Sequence, residues 1–423
     1  MGLIYLLAYL LLFLSIFIFF IKRNSTCFVI SFILYQCFYD WIIIHLSYFL
    51  PSGIVLILKS LQEILLSLLC FLFIYRLALH PKIKLGKIDF ILFIYLFIFI
   101  IGLLVSFSKG QSISSIIQGV RLYVSPIITP YLLYKYKLFD GLKIDLLNKC
   151  FVFLLCFLLM YSVIQVYSFD GNLSHLWFYR FYDDLLVNPI DSASFNYVRE
   201  GDLRATAVFV SSIHLTVTFF ILTLYFYIMK IKFWPLWCIL SLYGIQLTQT
   251  RVGYFLIIVC IGIGIFRRVF PNRTQYYFIP LLAIGVTLLS LIFQLISDES
   301  ALGRLVQYVV FMNNFHIMGN GLGDKFALVF YDSFYISILI AFGILGVIYI
   351  LCYLKILNIL ACKLLTTNES ESTKLLTFTL FLGYSVLYLF AFQYVAGAFP
   401  FVFIWLLIFI SLSQISTSSV RNG

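Results

Sequence analysis

Residues 2–21 read GLIYLLAYLLLFLSIFIFFI, and Lys22 and Arg23 follow directly. No charge interrupts this run, and about 20 apolar residues is the length an α-helix needs to cross a bilayer. In lipid a chain must satisfy its own backbone polar groups, which leaves helices or closed barrels. Barrel strands alternate apolar and polar residues, and this stretch does not alternate, so it reads as a helix. Its basic residues come after the apolar run and none precedes it. A cleavable signal peptide has the reverse order, so none is expected.

The same pattern continues outward along the chain. Apolar runs of about 15–24 residues fall near 2–21, 27–47, 53–75, 88–107, 117–134, 150–168, 206–229, 234–249, 252–266, 277–296, 333–356, 375–394 and 398–413. The expected fold is all-α: a polytopic integral membrane protein of about 12–13 transmembrane helices, in one domain over 1–423. Composition excludes a soluble protein. With 63% hydrophobic and 11% charged residues, and a mean hydropathy of +1.08, the chain cannot make a charged skin. The lipid bilayer is therefore its first expected partner.

A net charge of +11 raises the question of nucleic acid, but the basic residues are spread between apolar runs. Nucleic acid is not expected. Lys and Arg sort by side instead. Alternate connections, from Lys22 and Arg23 to Arg421, hold 19 of the 28 basic residues, which marks that side as cytoplasmic. The nine cysteines form no CxxC pair and read as small packing residues. No metal site and no cofactor is expected, since Glu200 and Asp202 alone are a weak ligand set.

The opposite side carries two long segments, 169–205 and 297–332. Connections of that size between packed helices are usually functional. Arg121, Arg180, Arg199, Arg204, Arg251 and Arg304 lie on this side or at its boundary, against only Lys109 and Lys325. Planar guanidinium forks suit phosphate. Arg251 stands in Gln249-Thr250-Arg251-Val252-Gly253 at a helix start, where backbone N–H groups also favour an anion. It is either an anion ligand or a charge that snorkels to the interface. Arg204 sits in a charged cluster before another helix. Asp332 precedes an apolar run; it is either a general base with a raised pKa or an N-cap. The glycines of Gly319-Asn320-Gly321-Leu322-Gly323 suit a tight turn that lets backbone approach a ligand or a helix. Trp177, Phe178, Tyr179 and Tyr182 crowd the first segment and suit either sugar rings or lipid headgroups. Asp40, Lys59 and Glu63 fall inside apolar runs; Lys59 and Glu63, spaced i, i+4, can pair on one helix face, as a structural pair or as the ion-coupling groups of a transporter.

The second segment resembles the O-antigen polymerase and ligase superfamily. Asp332-Ser333, nine residues from Phe334 to Phe342, then Gly343-Ile344-Leu345-Gly346 has that superfamily's spacing, with Asp332 where ligases carry His. Gly303-Arg304, the glycine segment, Arg204 with Phe209, and the Arg251 to Gly262 spacing are similar as well. The motifs cover roughly residues 200–350 and favour a polymerase over a ligase. The resemblance implies a bacterial inner-membrane enzyme with both long loops and its active site facing the periplasm. It implies donor and acceptor glycans linked to undecaprenyl diphosphate, no metal, and a separate chain-length regulator. Arg204, Arg251, Arg304 and Arg121 would then bind the diphosphate, with Arg251 and Asp332 catalytic and Trp177, Tyr179 and Tyr182 contacting sugar. A lipid-linked-oligosaccharide flippase or other transporter is the alternative, and an O-antigen ligase a further one.

Overall fold

A computed structural model describes residues 2–79, 86–169, 175–178, 198–199, 202–269, 279–280, 285, 299–324, 334–367, 370–388 and 399–421. In chain order the helices are α1 (Gly2–Ile21), α2 (Ser25–Ser47), α3 (Ser52–Leu79), α4 (Lys87–Ser108), α5 (Ile113–Tyr123), α6 (Ser125–Lys135), α7 (Ile144–Ser168), α8 (Ser212–Met229), α9 (Trp234–Leu247), α10 (Arg251–Val269), α11 (Glu299–Asn314), α12 (Phe334–Phe342), α13 (Leu345–Leu364), α14 (Glu371–Tyr388) and α15 (Phe399–Arg421). Between α7 and α8 lies a short antiparallel ladder of β1 (Val198–Arg199) and β2 (Asp202–Leu203), in which Val198 faces Leu203.

The chain is an all-α, multi-pass membrane protein. Among the described residues eight helices are long and apolar enough to cross a membrane, and the bent pair α5 and α6, counted as one span, brings the number to nine. The expected runs near 277–296 and 375–394 fall partly outside the described residues. Contacts within the chain group it into two compact units. Unit 1 is Met1–Lys59, Tyr134–Ile258 and Val420–Gly423, and unit 2 is Ser60–Leu133 and Val259–Ser419.

In unit 1, α1 and α2 form an antiparallel hairpin. Arg23 turns the chain at φ +52°, and Asn24 caps α2 by accepting the Cys27 N–H at 3.2 Å. The run expected from 206 to 229 starts its helix later, at Ser212. Ala207 holds φ +47°, which no helix tolerates, and Ser211 then caps α8 by accepting the Ile213 N–H at 3.2 Å.

In unit 2, two expected single spans are broken. The run 117–134 is two helices, α5 and α6, bent by 58°. Pro126 explains the break: it has no N–H for the Leu122 carbonyl, and its ring crowds that turn. At the same break Ile127 N donates to Val124 O at 3.3 Å, and the Tyr123 carbonyl accepts instead from the Tyr349 hydroxyl at 2.6 Å and from the Tyr95 hydroxyl. Neighbouring side chains thus satisfy backbone that lipid cannot.

The second correction is larger. The run 333–356 is not one helix but a hairpin folded at Gly343. Rings of Phe342 and Tyr349 stack at 5.3 Å, and those of Phe334 and Tyr353 meet at 6.3 Å. Earlier residues of α12 therefore meet later residues of α13. In a continuous helix the last pair would stand about 28 Å apart along the axis. Gly343 takes φ +60°, and a Cβ on Gly346 would lie 2.9 Å from the Ile338 carbonyl oxygen. One glycine lets the chain reverse and the other lets α13 lie against the backbone of α12. Most of α12 is buried. The segment 297–332 is also not all loop, since it opens with α11, whose Tyr308 hydroxyl meets that of Tyr335 on α12 at 2.7 Å.

Candidate functional site

In unit 1 the site begins with Gln165, a fully buried amide on α7. A buried amide is costly unless its donors and acceptors are met. Gln165 Oε1 accepts the N–H of Thr206 at 3.0 Å and of Ala207 at 2.7 Å, while Nε2 donates to Thr206 Oγ1 at 3.3 Å. Trp177 Nε1 donates to the Ala207 carbonyl at 2.7 Å. These bonds fix the strained turn at Ala207, and the preceding residues reach across to the end of α9. Ala205 N donates to Leu247 O at 3.1 Å, and Arg204 Nε donates to Thr248 O at 3.2 Å. A cation is favoured there, because Thr248 is the C-cap of α9 and carries the negative end of its dipole.

The turn from α9 to α10 is equally fixed. Gln249 takes φ +48°, and the buried hydroxyls of Thr248 and Thr250 cluster with Thr216 of α8, with Thr216 to Thr248 at 2.6 Å. A Cβ on Gly253 would lie 2.7 Å from Thr216 Cγ2, so glycine lets α10 start against α8. Arg251 is the first residue of α10. Arg204 and Arg251, far apart in sequence, are thus brought to one corner by the Thr248 carbonyl. The side chain of Arg251 lies outside the described residues.

In unit 2 the glycine segment approaches a helix, one of the two roles its glycines allowed. The last carbonyls of α12 lack donors of their own. Asn320 N donates to Ile340 O at 2.8 Å and Gly321 N to Ala341 O at 2.9 Å. The segment is then tied down from α4 and the start of α5. Ser106 Oγ accepts from Leu322 N at 2.7 Å and Gln111 Oε1 from Gly323 N at 2.8 Å. Gln111 Nε2 donates to Asn320 O at 2.8 Å, and Lys109 Nζ donates to Gly319 O at 3.1 Å. The N–H groups of Asn320 through Gly323 are spent on protein acceptors, so this is a cap and not a phosphate cradle.

Arg121 lies in the last turn of α5. Its Nε and Nη2 donate to Glu63 Oε1 on α3 at 3.0 and 2.8 Å. Both side chains are mostly buried, and Glu63 Oε2 is buried with no hydrogen-bond partner among the described residues. Breaking such a pair orphans a charge. Glu63→Ala is therefore expected to destabilise the chain by about 3 kcal/mol, and Glu63→Ala with Arg121→Leu by less, as read by thermal unfolding in detergent. Equal losses would mean that the two charges are not coupled.

The remaining expected residues are placed as follows. Arg304 is in the second turn of α11, with its side chain outside the described residues. Asp332, Tyr179 and Tyr182 lie outside the described residues. Trp177 is half-buried, and one face of its ring stacks on His45 at 5.5 Å. Among the described residues no three His, Cys, Asp or Glu gather where they could hold a metal ion.

Sequence reading missed Gln165, the Thr216, Thr248 and Thr250 cluster, and the Glu63 partnership. Gln165 had a signal: an amide late in an apolar helix is expensive and needs partners. The threonines had none, since threonine is common in any helix. No family model, no characterised protein and no solved structure matches this chain.

Proposed function

We propose that this protein is an O-antigen or related surface-polysaccharide polymerase of the bacterial inner membrane. It would join undecaprenyl-diphosphate-linked repeats at the periplasmic face. The observation that carries this reading is the corner where the Arg204 guanidinium is held on the Thr248 carbonyl beside the start of α10 at Arg251. A helix N-terminus with arginine forks suits a diphosphate. The diphosphate gains charge as the bond from the anomeric carbon to the phosphate oxygen breaks, and fixed cations stabilise that change. The new bond forms to an acceptor sugar hydroxyl, whose proton passes to a base; Asp332 is our candidate. The family motif is also consistent with the fold. Its nine-residue spacer coincides with α12, and its two glycines are the reversal and the contact glycine of the hairpin. A separate chain-length regulator would act with the enzyme.

A second reading has its own support. Discontinuous helices with intramembrane charges line the sites of many transporters. The break between α5 and α6, the short helix α12, and the Arg121 to Glu63 pair favour a lipid-linked-oligosaccharide flippase or transporter. Deletion of the gene separates the two. A polymerase deletion leaves lipopolysaccharide capped with a single repeat, which is the result we expect. Bare core, as from loss of a flippase or a ligase, would overturn the polymerase reading.

A further inference from the structure

A cavity of about 310 Å³ lies between α3, α4 and α6, wholly within unit 2. Along α4 its wall is Asp89, Leu92, Phe93, Leu96, Phe97 and Ile100, one face of the helix. Its inner lining is deeply buried, as at Leu92 and Ile128, while its rim is not: Phe97 is 63% and Ile100 52% exposed. In a membrane-spanning helix, exposed apolar side chains face lipid, so the groove opens onto the bilayer.

Its carboxylate and phenol are already engaged. Asp89 accepts the Gly86 N–H at 2.6 Å and the Tyr131 hydroxyl. Nothing in the wall asks for a polar ligand atom. The length is informative. From Asp89 to Ile100 the helix rises about 16 Å, close to half of the roughly 30 Å hydrocarbon core. The groove starts within one turn of the N-terminus of α4 and so covers one leaflet. Lys87 is exposed at that end, and Lys82 and Lys84 precede it in the sequence. Basic residues at a membrane surface attract anionic headgroups.

We propose that this groove holds one acyl chain of an anionic phospholipid from the leaflet that meets the start of α4. By the distribution of Lys and Arg, that is the cytoplasmic leaflet. A chain of that leaflet fits the groove's length, and its headgroup would meet Lys87.

The test is lipid analysis by mass spectrometry on the full chain purified in mild detergent. The unmodified protein is expected to retain a phospholipid, enriched in anionic headgroups over the bulk membrane extract. Leu96→Trp and Cys70→Phe, which fill the groove from α4 and from α3, are expected to lose it while still eluting as folded protein. Lys87→Gln is expected to keep the lipid and lose the anionic enrichment. A readout that needs no substitution is the melting temperature of delipidated protein, which added anionic phospholipid should raise. The proposal is overturned if the unmodified protein retains no phospholipid, if folded groove-filled variants retain it equally, or if the retained lipid is an isoprenoid.

Discussion

Gly343→Val is expected to destabilise the protein by about 3–5 kcal/mol, through left-handed backbone strain and overpacking together. Gly343 sits at φ +60°, and an added Cβ would meet the Ile317 carbonyl and the Gly319 N–H. Those backbone atoms cannot simply rotate away, because Ile344 N donates to Ile317 O at 2.9 Å and the glycine segment caps α12. Relieving the clash therefore uncaps α12 in an apolar setting, where an unmet carbonyl is costly. The measurement is thermal unfolding in detergent with Gly262→Ala as control. Nothing lies within 4 Å of a Cβ at Gly262, and α10 there is ordinary helix, so this change is expected to be neutral or to stabilise by up to about 1 kcal/mol. If Gly343→Val melts with the unmodified chain, the hairpin is not held by this reversal.

Arg251→Ala is expected to remove long polymer, with a rate loss of about 10²–10³-fold if one preorganised cation at the leaving group is lost. Protein level in the membrane should stay unchanged, since Thr216, Thr248 and Thr250 and the contact at Gly253 hold the turn without that side chain. Arg251→Lys keeps the charge but not the planar fork and should recover little. Arg204→Ala should lower polymer and also stability, because its Nε caps the end of α9. Asp332→Asn keeps N-cap capacity and removes a base, so loss of polymer in that variant separates the two roles. Polymer chains of normal length from Arg251→Ala would remove the assignment of this corner.

The helices themselves were legible because lipid leaves so few alternatives. Runs at 2–21 and 88–107 became α1 and α4 with bounds shifted by one residue at most, and the run at 150–168 became α7, which starts earlier, at Ile144. The two broken runs were not. Hydropathy along 333–356 is continuous, and Gly343 and Gly346 look like any glycines in a membrane helix. The reversal depends on what meets them, namely the backbone at Ile317 and Gly319 for one and at Ile338 for the other. In the same way the glycines from 319 to 323 signalled a close approach, but only the fold names what is approached, the C-terminus of α12.

Arginines divide along the same line. Their number was visible in the sequence, and so was the chance that some bind anions. Which of them are engaged by protein is a matter of tertiary contacts. Arg121 meets Glu63, 58 positions away, and Arg204 meets the carbonyl of Thr248. Neither partner follows from spacing on one helix, because a side chain pairs with whatever its element packs against. Sequence by itself determined that this is a helical membrane protein, since the cost of bare backbone and charge in lipid permits little else. Tertiary structure decided where helices break and reverse, and which two of those arginines share a corner. Those outcomes depend on contacts between distant segments, which no local pattern encodes.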